Sequence, residues 1–320
     1  MVLVKVLLRS GSPNINYENK GYMNLGYACI NTILSTNKIM TNRTMRHKTL
    51  VEKGIGYVSE LALANVKDLR TIVKWNNEMG IKLFRLSSNI FPWSDEYIVE
   101  ELEDGIEICE IMFEIGQIAK DKGQRLTMHP GPYNCLASPT RKVVEKTIRE
   151  LNFHSQQFNM MGYEPSHYNK INIHVGGAYG DKKATLKRFC ENFHLLNEDT
   201  KKRLVIENDD SPNEYSVKDL YEGIYKEIGT PITFDYFHHK FNTGDLTEEE
   251  ALKLAFTTWP SNVTQCCHYS ESRRKEKLDE SIRPQAHSDL IYEKINTYGL
   301  EPDIVIEAKS KEQAIFKRVI

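Results

Sequence analysis

Imidazoles and carboxylates recur along this chain at the ends of short apolar runs, as ligands for divalent metal ions would. His129 closes RLTMH, His174 closes INIH, Glu207 closes RLVIE, Asp235 closes PITFD and Glu307 closes DIVIE. His268 ends a run that begins near Asn262, His238 follows Asp235 by three residues, and His287 lies in the charged loop RPQAHSD. A carboxylate at the end of an apolar run is costly to bury unless it is paired or metal-bound. Taken singly, each histidine reads more readily as a packed or hydrogen-bonded side chain than as a ligand. Jointly, the mixture of imidazole and carboxylate suits Zn²⁺ or Mn²⁺ more than Ca²⁺ or Mg²⁺. The candidates outnumber the ligands of one ion, so two or three ions are expected, with Glu207 a reasonable bridge. Such clusters activate water and stabilise both oxygens of an in-line phosphoryl displacement.

Residues so far apart in the chain need a fold that gathers strand ends. Strands are expected over residues 22–31, 81–87, 125–129, 170–174, 203–209, 231–235, 262–268 and 303–309. Helical spacing of apolar residues predicts helices over 50–79, 97–120, 143–161, 186–196, 217–228, 246–256 and 288–298. Eight strand–helix units with polar groups at the strand C-terminal ends describe an α/β fold, a (β/α)₈ TIM barrel with its site on the C-terminal face of the strands. Tyr27 with Asn31, and Arg85 with Asn89 and Asp95, complete the set of strand-end groups. Nothing divides the chain, so residues 21–320 are expected to form one domain after an N-terminal extension, 1–20, partly disordered over 10–20.

The chain has 320 residues, 40% of them hydrophobic, enough for one large barrel. No long apolar run provides a membrane span. Lys5 and Arg9 interrupt the apolar N-terminal stretch, which argues against a secretory signal. Six scattered cysteines without a CxxC pair predict free thiols in a reducing intracellular compartment, cytoplasm or nucleus, with Cys266–Cys267 buried in a strand. A formal charge of −2 argues against nonspecific coating of nucleic acid but leaves room for a local basic rim. Arg43, Arg46, Lys182, Lys183, Arg273, Arg274 and Lys309 are candidates for that rim.

The stretches NLGYACIN, TNRT, FRLSSNIFPW, LTMHPGPY, IHVGGAYGDK, IENDD, FDYFHH, AHSD and IEAKSKEQA occur in this order over about residues 22 to 313. In them the sequence resembles the UV damage endonucleases, TIM-barrel repair nucleases. The resemblance implies metal-dependent nicking of duplex DNA 5′ to cyclobutane pyrimidine dimers and 6-4 photoproducts, leaving a 3′-hydroxyl and a 5′-phosphate. It implies His129, His174, Glu207, Asp235, His238, His268, His287 and Glu307 as metal ligands. Asp95 stands where many members have a histidine ligand, which moves the expected metal toward Mn²⁺, with Zn²⁺ or Co²⁺ as alternatives. Catalytic roles are expected for Glu207, His238, His268 and Tyr27. Tyr27, Asn31 and Lys309 are expected at the lesion or the DNA backbone. Tyr133 matches one of two residues that wedge into the duplex; the other, commonly glutamine, is Pro132. Cys266 replaces a modifiable lysine found in some members. Damaged double-stranded DNA is the expected partner of a monomer, with no membrane and no obligate protein partner. The alternatives are an abasic-site endonuclease of the endonuclease IV type and a metal-dependent sugar isomerase-like barrel.

Overall fold

A computed structural model describes residues 23–317, so the expected extension over 1–20 lies outside the described residues. Eight parallel strands run β1 Leu25–Ala28, β2 Leu83–Leu86, β3 Arg125–Met128, β4 Ile171–Ile173, β5 Leu204–Glu207, β6 Ile232–Thr233, β7 Cys266–Tyr269 and β8 Asp303–Ile306. They pair in the order β6-β5-β4-β3-β2-β1-β8-β7. The remaining seam, between β6 and β7, is bridged where the His268 amide donates to the Phe234 carbonyl at 2.9 Å. The barrel expected from the sequence is present.

Successive strand residues face opposite sides, and this alternation decides which side chains meet in the barrel. Ala28, Leu83, Val205, Cys266 and Val305 form a small apolar cluster with Trp259. Leu204, Ile206, Cys267, Ile304 and Ile306 instead join the larger core beneath the helices. Cys266 and Cys267, both fully buried, therefore lie on opposite faces of β7. The inward parity continues upward to Glu207 and His268. Below, Arg125 plugs the barrel. It donates to Asp303 Oδ2 at 2.9 Å and to the carbonyls of Tyr168, Thr264 and His167.

Among the helices are α1 His47–Glu78, α2 Gly105–Asp121, α3 Arg141–Met160, α4 Lys182–Phe193, α5 Val217–Leu220 and α6 Glu248–Phe256. Helix α1 buries Val58, Ala62, Val66, Leu69, Ile72 and Val73, a stripe at three- and four-residue spacing. Gly80, at φ 74°, lets the chain leave α1 and turn into β2. The helix expected over 288–298 is absent. Buried glutamates on the preceding segment take its backbone donors instead. Glu271 accepts from the amides of Tyr292 and Glu293, and Glu276 from those of Asp289 and Leu290. Only Arg273–Lys277 is helical between β7 and β8.

Glu312 is fully buried and accepts from the amides of Thr32 and Ile33, at 3.0 and 2.8 Å, tying the C-terminal segment to the loop after β1. Glu312→Ala is expected to destabilise the protein by about 1.5–3 kcal/mol, since hydrogen bonds to a charged acceptor are lost and two donors are orphaned. Thermal melts of the metal-free protein measure this.

Candidate metal centre

Six strand ends aim side chains at one point. Glu207, 1% exposed, is the hub. Its Oε2 lies 3.3 Å from His129 Nε2 and 3.8 Å from His174 Nε2, while its Oε1 lies 3.1 Å from His268 Nδ1 and 3.5 Å from His238 Nδ1. His268 Nδ1 also faces Glu307 Oε1 at 3.3 Å, and His287 Nδ1 stands 4.0 Å from Glu307 Oε2. Two groups of three have ligand atoms close enough to share an ion, His129–His174–Glu207 and Glu207–Asp235–His268, with Glu207 common to both.

Several of these rings are fixed from behind. His129 Nδ1 lies 2.9 Å from the Pro130 carbonyl, leaving Nε2 for the cluster. His174 Nδ1 lies 2.7 Å from Asp209 Oδ1. His238 Nδ1 lies 2.8 Å from the Asn208 carbonyl. His129 and His174, engaged at Nδ1, turn Nε2 toward the cluster, whereas His238 faces both Asn208 and Glu207 through Nδ1. Asp235 Oδ1 caps the turn Tyr236–His239, accepting from the amides of Phe237 and His238 at 2.7 and 2.8 Å. Its Oδ2 has no partner, and neither His268 Nδ1 nor His287 Nδ1 is hydrogen-bonded, although all three are buried. Unsatisfied buried polar atoms converging in one pocket, of mixed nitrogen and carboxylate type, fit divalent cations.

The charges of the cluster are strongly interdependent. Burial opposes ionisation of Glu207, but the imidazoles of His268, His174 and His129 outweigh it and hold its carboxyl well below the usual range. Burial, reinforced by Glu207 and Glu307, pushes Asp235 up to about 7 against the pull of His238. Burial would depress His174 and His238, yet neighbouring carboxylates raise them to about 10 and about 9. Burial depresses His268 to about 3. Arg85 at the end of β2 donates to Glu307 Oε1 and neutralises the far side of the cluster.

Of the nine expected ligands, the fold brings together His129, His174, Glu207, Asp235, His238, His268, His287 and Glu307. Asp95 is a correction. It is exposed in the turn after Phe91, where Trp93 adopts φ 56° and its indole donates to the Met45 carbonyl, so the carboxylate falls beside Tyr97 instead. Tyr27 and Asn31 are corrections too. Ala28 occupies the inward register of β1, so Tyr27 points at the helices, fully buried against Phe84 with its hydroxyl donating to Asn76 at 2.8 Å. Asn31 is 1% exposed, donates to the Tyr27 hydroxyl and caps the turn Thr32–Ser35. Both side chains are shielded from solvent in this structure. His239, beside His238 in the sequence, packs on Phe234 away from the cluster. Pro132 and Tyr133 are exposed, Tyr133 at 90%, and Lys309 is exposed near Glu307. Of the candidate rim cations, Arg43 is committed to Asp68 and to the Met40 and Lys38 carbonyls. Asn172, which the sequence did not single out, contacts Glu207, and Asp209, a carboxylate close after β5, pairs with His174.

The model of the UV-endonuclease UvdE family matches residues 23–319. A UV-damage endonuclease of Neurospora crassa is 34% identical over 83% of the chain, and one of Schizosaccharomyces pombe is 37% identical over 82%. The chain spans only 41% and 44% of those two proteins. The crystal structure of SacUVDE superposes with a TM-score of 0.78 at 31% identity, covering 92% of this chain and 95% of that one. With the barrel, the ligand geometry and these matches in agreement, the chain belongs to the UvdE family of UV endonucleases.

Proposed function

We propose that this protein is a metal-dependent endodeoxyribonuclease that nicks duplex DNA on the 5′ side of cyclobutane pyrimidine dimers and 6-4 photoproducts, leaving a 3′-hydroxyl and a 5′-phosphate. The observation that carries the reading is the meeting of two ligand groups on one carboxylate, Glu207. His129 and His174 would hold one divalent ion with Glu207, and Asp235 and His268 a second. Glu307, His238 and His287 would complete the second site or hold a third ion beside it. Mn²⁺ is the proposed metal, with Zn²⁺ or Co²⁺ able to occupy the same donors. A bound pair would neutralise charge on the attacking and leaving oxygens of the phosphodiester.

The chain's own residues do the rest. Glu207 sets the spacing of the two groups, and Arg85 keeps Glu307 ionised and oriented. Lys309, exposed beside the cluster, is placed to contact a backbone phosphate. Pro132 and Tyr133 project from the turn that Pro130 and Gly131 impose after His129, so a wedge into the helix and a metal ligand share one loop. A crosslinked pyrimidine pair stacks and pairs poorly, so extruding it costs less than extruding intact bases. Selectivity then follows from deformability.

A duplex carrying a single thymine dimer tests the reading. Mn²⁺-dependent nicking immediately 5′ to the dimer is expected, with an undamaged duplex left intact. Cutting at a synthetic abasic site but not at the dimer would favour the abasic-site endonuclease instead. Turnover of a sugar with no salt-sensitive DNA affinity would favour the isomerase-like reading. Tyr133→Ala is expected to weaken binding to the dimer duplex about 5- to 100-fold, the effect of losing one stacking platform worth about 1–3 kcal/mol. Fluorescence anisotropy at fixed salt measures it.

A further inference from the structure

Lys170 immediately precedes β4, with its side chain inside the barrel and no solvent exposure. Its Nζ lies 2.9 Å from Thr233 Oγ1, 3.1 Å from Asn172 Oδ1, 3.3 Å from the Cys266 carbonyl and 3.1 Å from His268 Nε2. Two of these partners hold Glu207 from opposite sides. Asn172 donates through Nδ2 to Glu207 Oε2, and His268 faces Glu207 Oε1 through Nδ1. A lysine amine always offers N–H donors. An amide that gives its oxygen to Lys170 must therefore turn its NH₂ toward Glu207. Without the amine, the Asn172 amide has only the Glu207 carboxylate to orient it, and its buried oxygen loses its donor. The same amine anchors His268 at Nε2, the nitrogen away from the cluster.

We propose that Lys170, acting through Asn172, is a positioning clamp that fixes Glu207 and His268 in metal-binding geometry from beneath the centre. Lys170 touches neither substrate nor reacting atoms. The proposal rests on the metal-centre reading above. Lys170, Asn172 and His174 alternate in KINIH, so all three share the inward face of one strand, floor, clamp and ligand in order.

The test uses the full chain, stripped with chelator and titrated with Co²⁺ and with Mn²⁺ in the absence of DNA. In Lys170→Met, a swap of similar length that leaves no buried amine, Mn²⁺ affinity is expected to fall about 10- to 100-fold, as for other residues that orient metal ligands. The Co²⁺ d–d absorption is expected to shift in position and intensity, a readout that a purely structural role would not move. Asn172→Leu is expected to shift the same absorption to a smaller extent, because the His268 anchor remains, and the double variant to lose little more than Lys170→Met alone. Should Lys170→Met fail to fold, Asn172→Leu alone decides. Wild-type affinity and spectrum in the variants that fold, or fully additive losses, would overturn the clamp while leaving the metal centre standing. Failure of the wild-type protein to bind either ion would overturn the metal-centre reading itself.

Discussion

Replacing Glu207 by alanine is expected to cut strand scission at a UV photoproduct by about 10³-fold or more, the consequence of withdrawing several kcal/mol of charge stabilisation from the transition state. The size of the effect follows from the position of the side chain. Both carboxylate oxygens are in use, one toward His129 and His174, the other toward His268 and His238. No neighbour can substitute, because Asp235 is committed through Oδ1 to the turn that follows it and Glu307 to Arg85. Glu207→Asp keeps the charge but is one methylene shorter, and is expected to fall between wild type and alanine. Single-turnover nicking with saturating enzyme separates this loss of chemistry from any loss of DNA affinity.

The second large effect concerns stability and lies at the opposite end of the barrel. Asp303→Ala is expected to destabilise the protein by about 3–5 kcal/mol, the cost of leaving one member of a buried ion pair without its partner. Arg125 and Asp303 side chains are 1% and 6% exposed, and water cannot replace the lost carboxylate. Asp303 also accepts from Asn24 at 2.8 Å through its other oxygen, so β1, β3 and β8 loosen together. Removing the cation instead does not spare the fold, because the carbonyls of Tyr168, Thr264 and His167 lose their donor. Urea denaturation of both variants gives the values. The candidate ligands His129 and Glu307 lie at the other ends of β3 and β8, so residual folded protein is expected to keep the proposed Mn²⁺ site.

Most of the centre was legible in the sequence because a (β/α)₈ barrel turns strand-end position into spatial proximity. His129, His174, Glu207, Asp235, His268 and Glu307 follow or end apolar runs, and the structure gathers them. Tyr27 shows the limit of that reasoning. It too sits at the end of a run, but parity places it one residue off the inward register. The sequence carries a usable signal here, since Gly26 and Ala28 are the small alternating pair and Tyr27 the bulky residue between them. Gly26 in fact has no room for a side chain, because a Cβ there would stand 2.2 Å from the Leu83 carbonyl oxygen. Asp95 left no such signal, because the path of its turn depends on Trp93 reaching back to Met45, a contact between distant loops. The missing helix over 288–298 has a similar origin. Its apolar spacing is helical, but Glu271 and Glu276 capture its amides from outside the segment. Lys170 and Asn172 were readable by alternation alone, yet a lysine beside an apolar strand reads by default as an exposed boundary.

Two divalent ions sharing Glu207 would be seen directly by frozen-solution EPR of the chelator-stripped protein titrated with Mn²⁺. At two equivalents, an exchange-coupled Mn²⁺ pair is expected in the wild-type protein, and its disappearance in Glu207→Gln. Two isolated six-line signals at every loading, or coupling that persists without the Glu207 carboxylate, would contradict it.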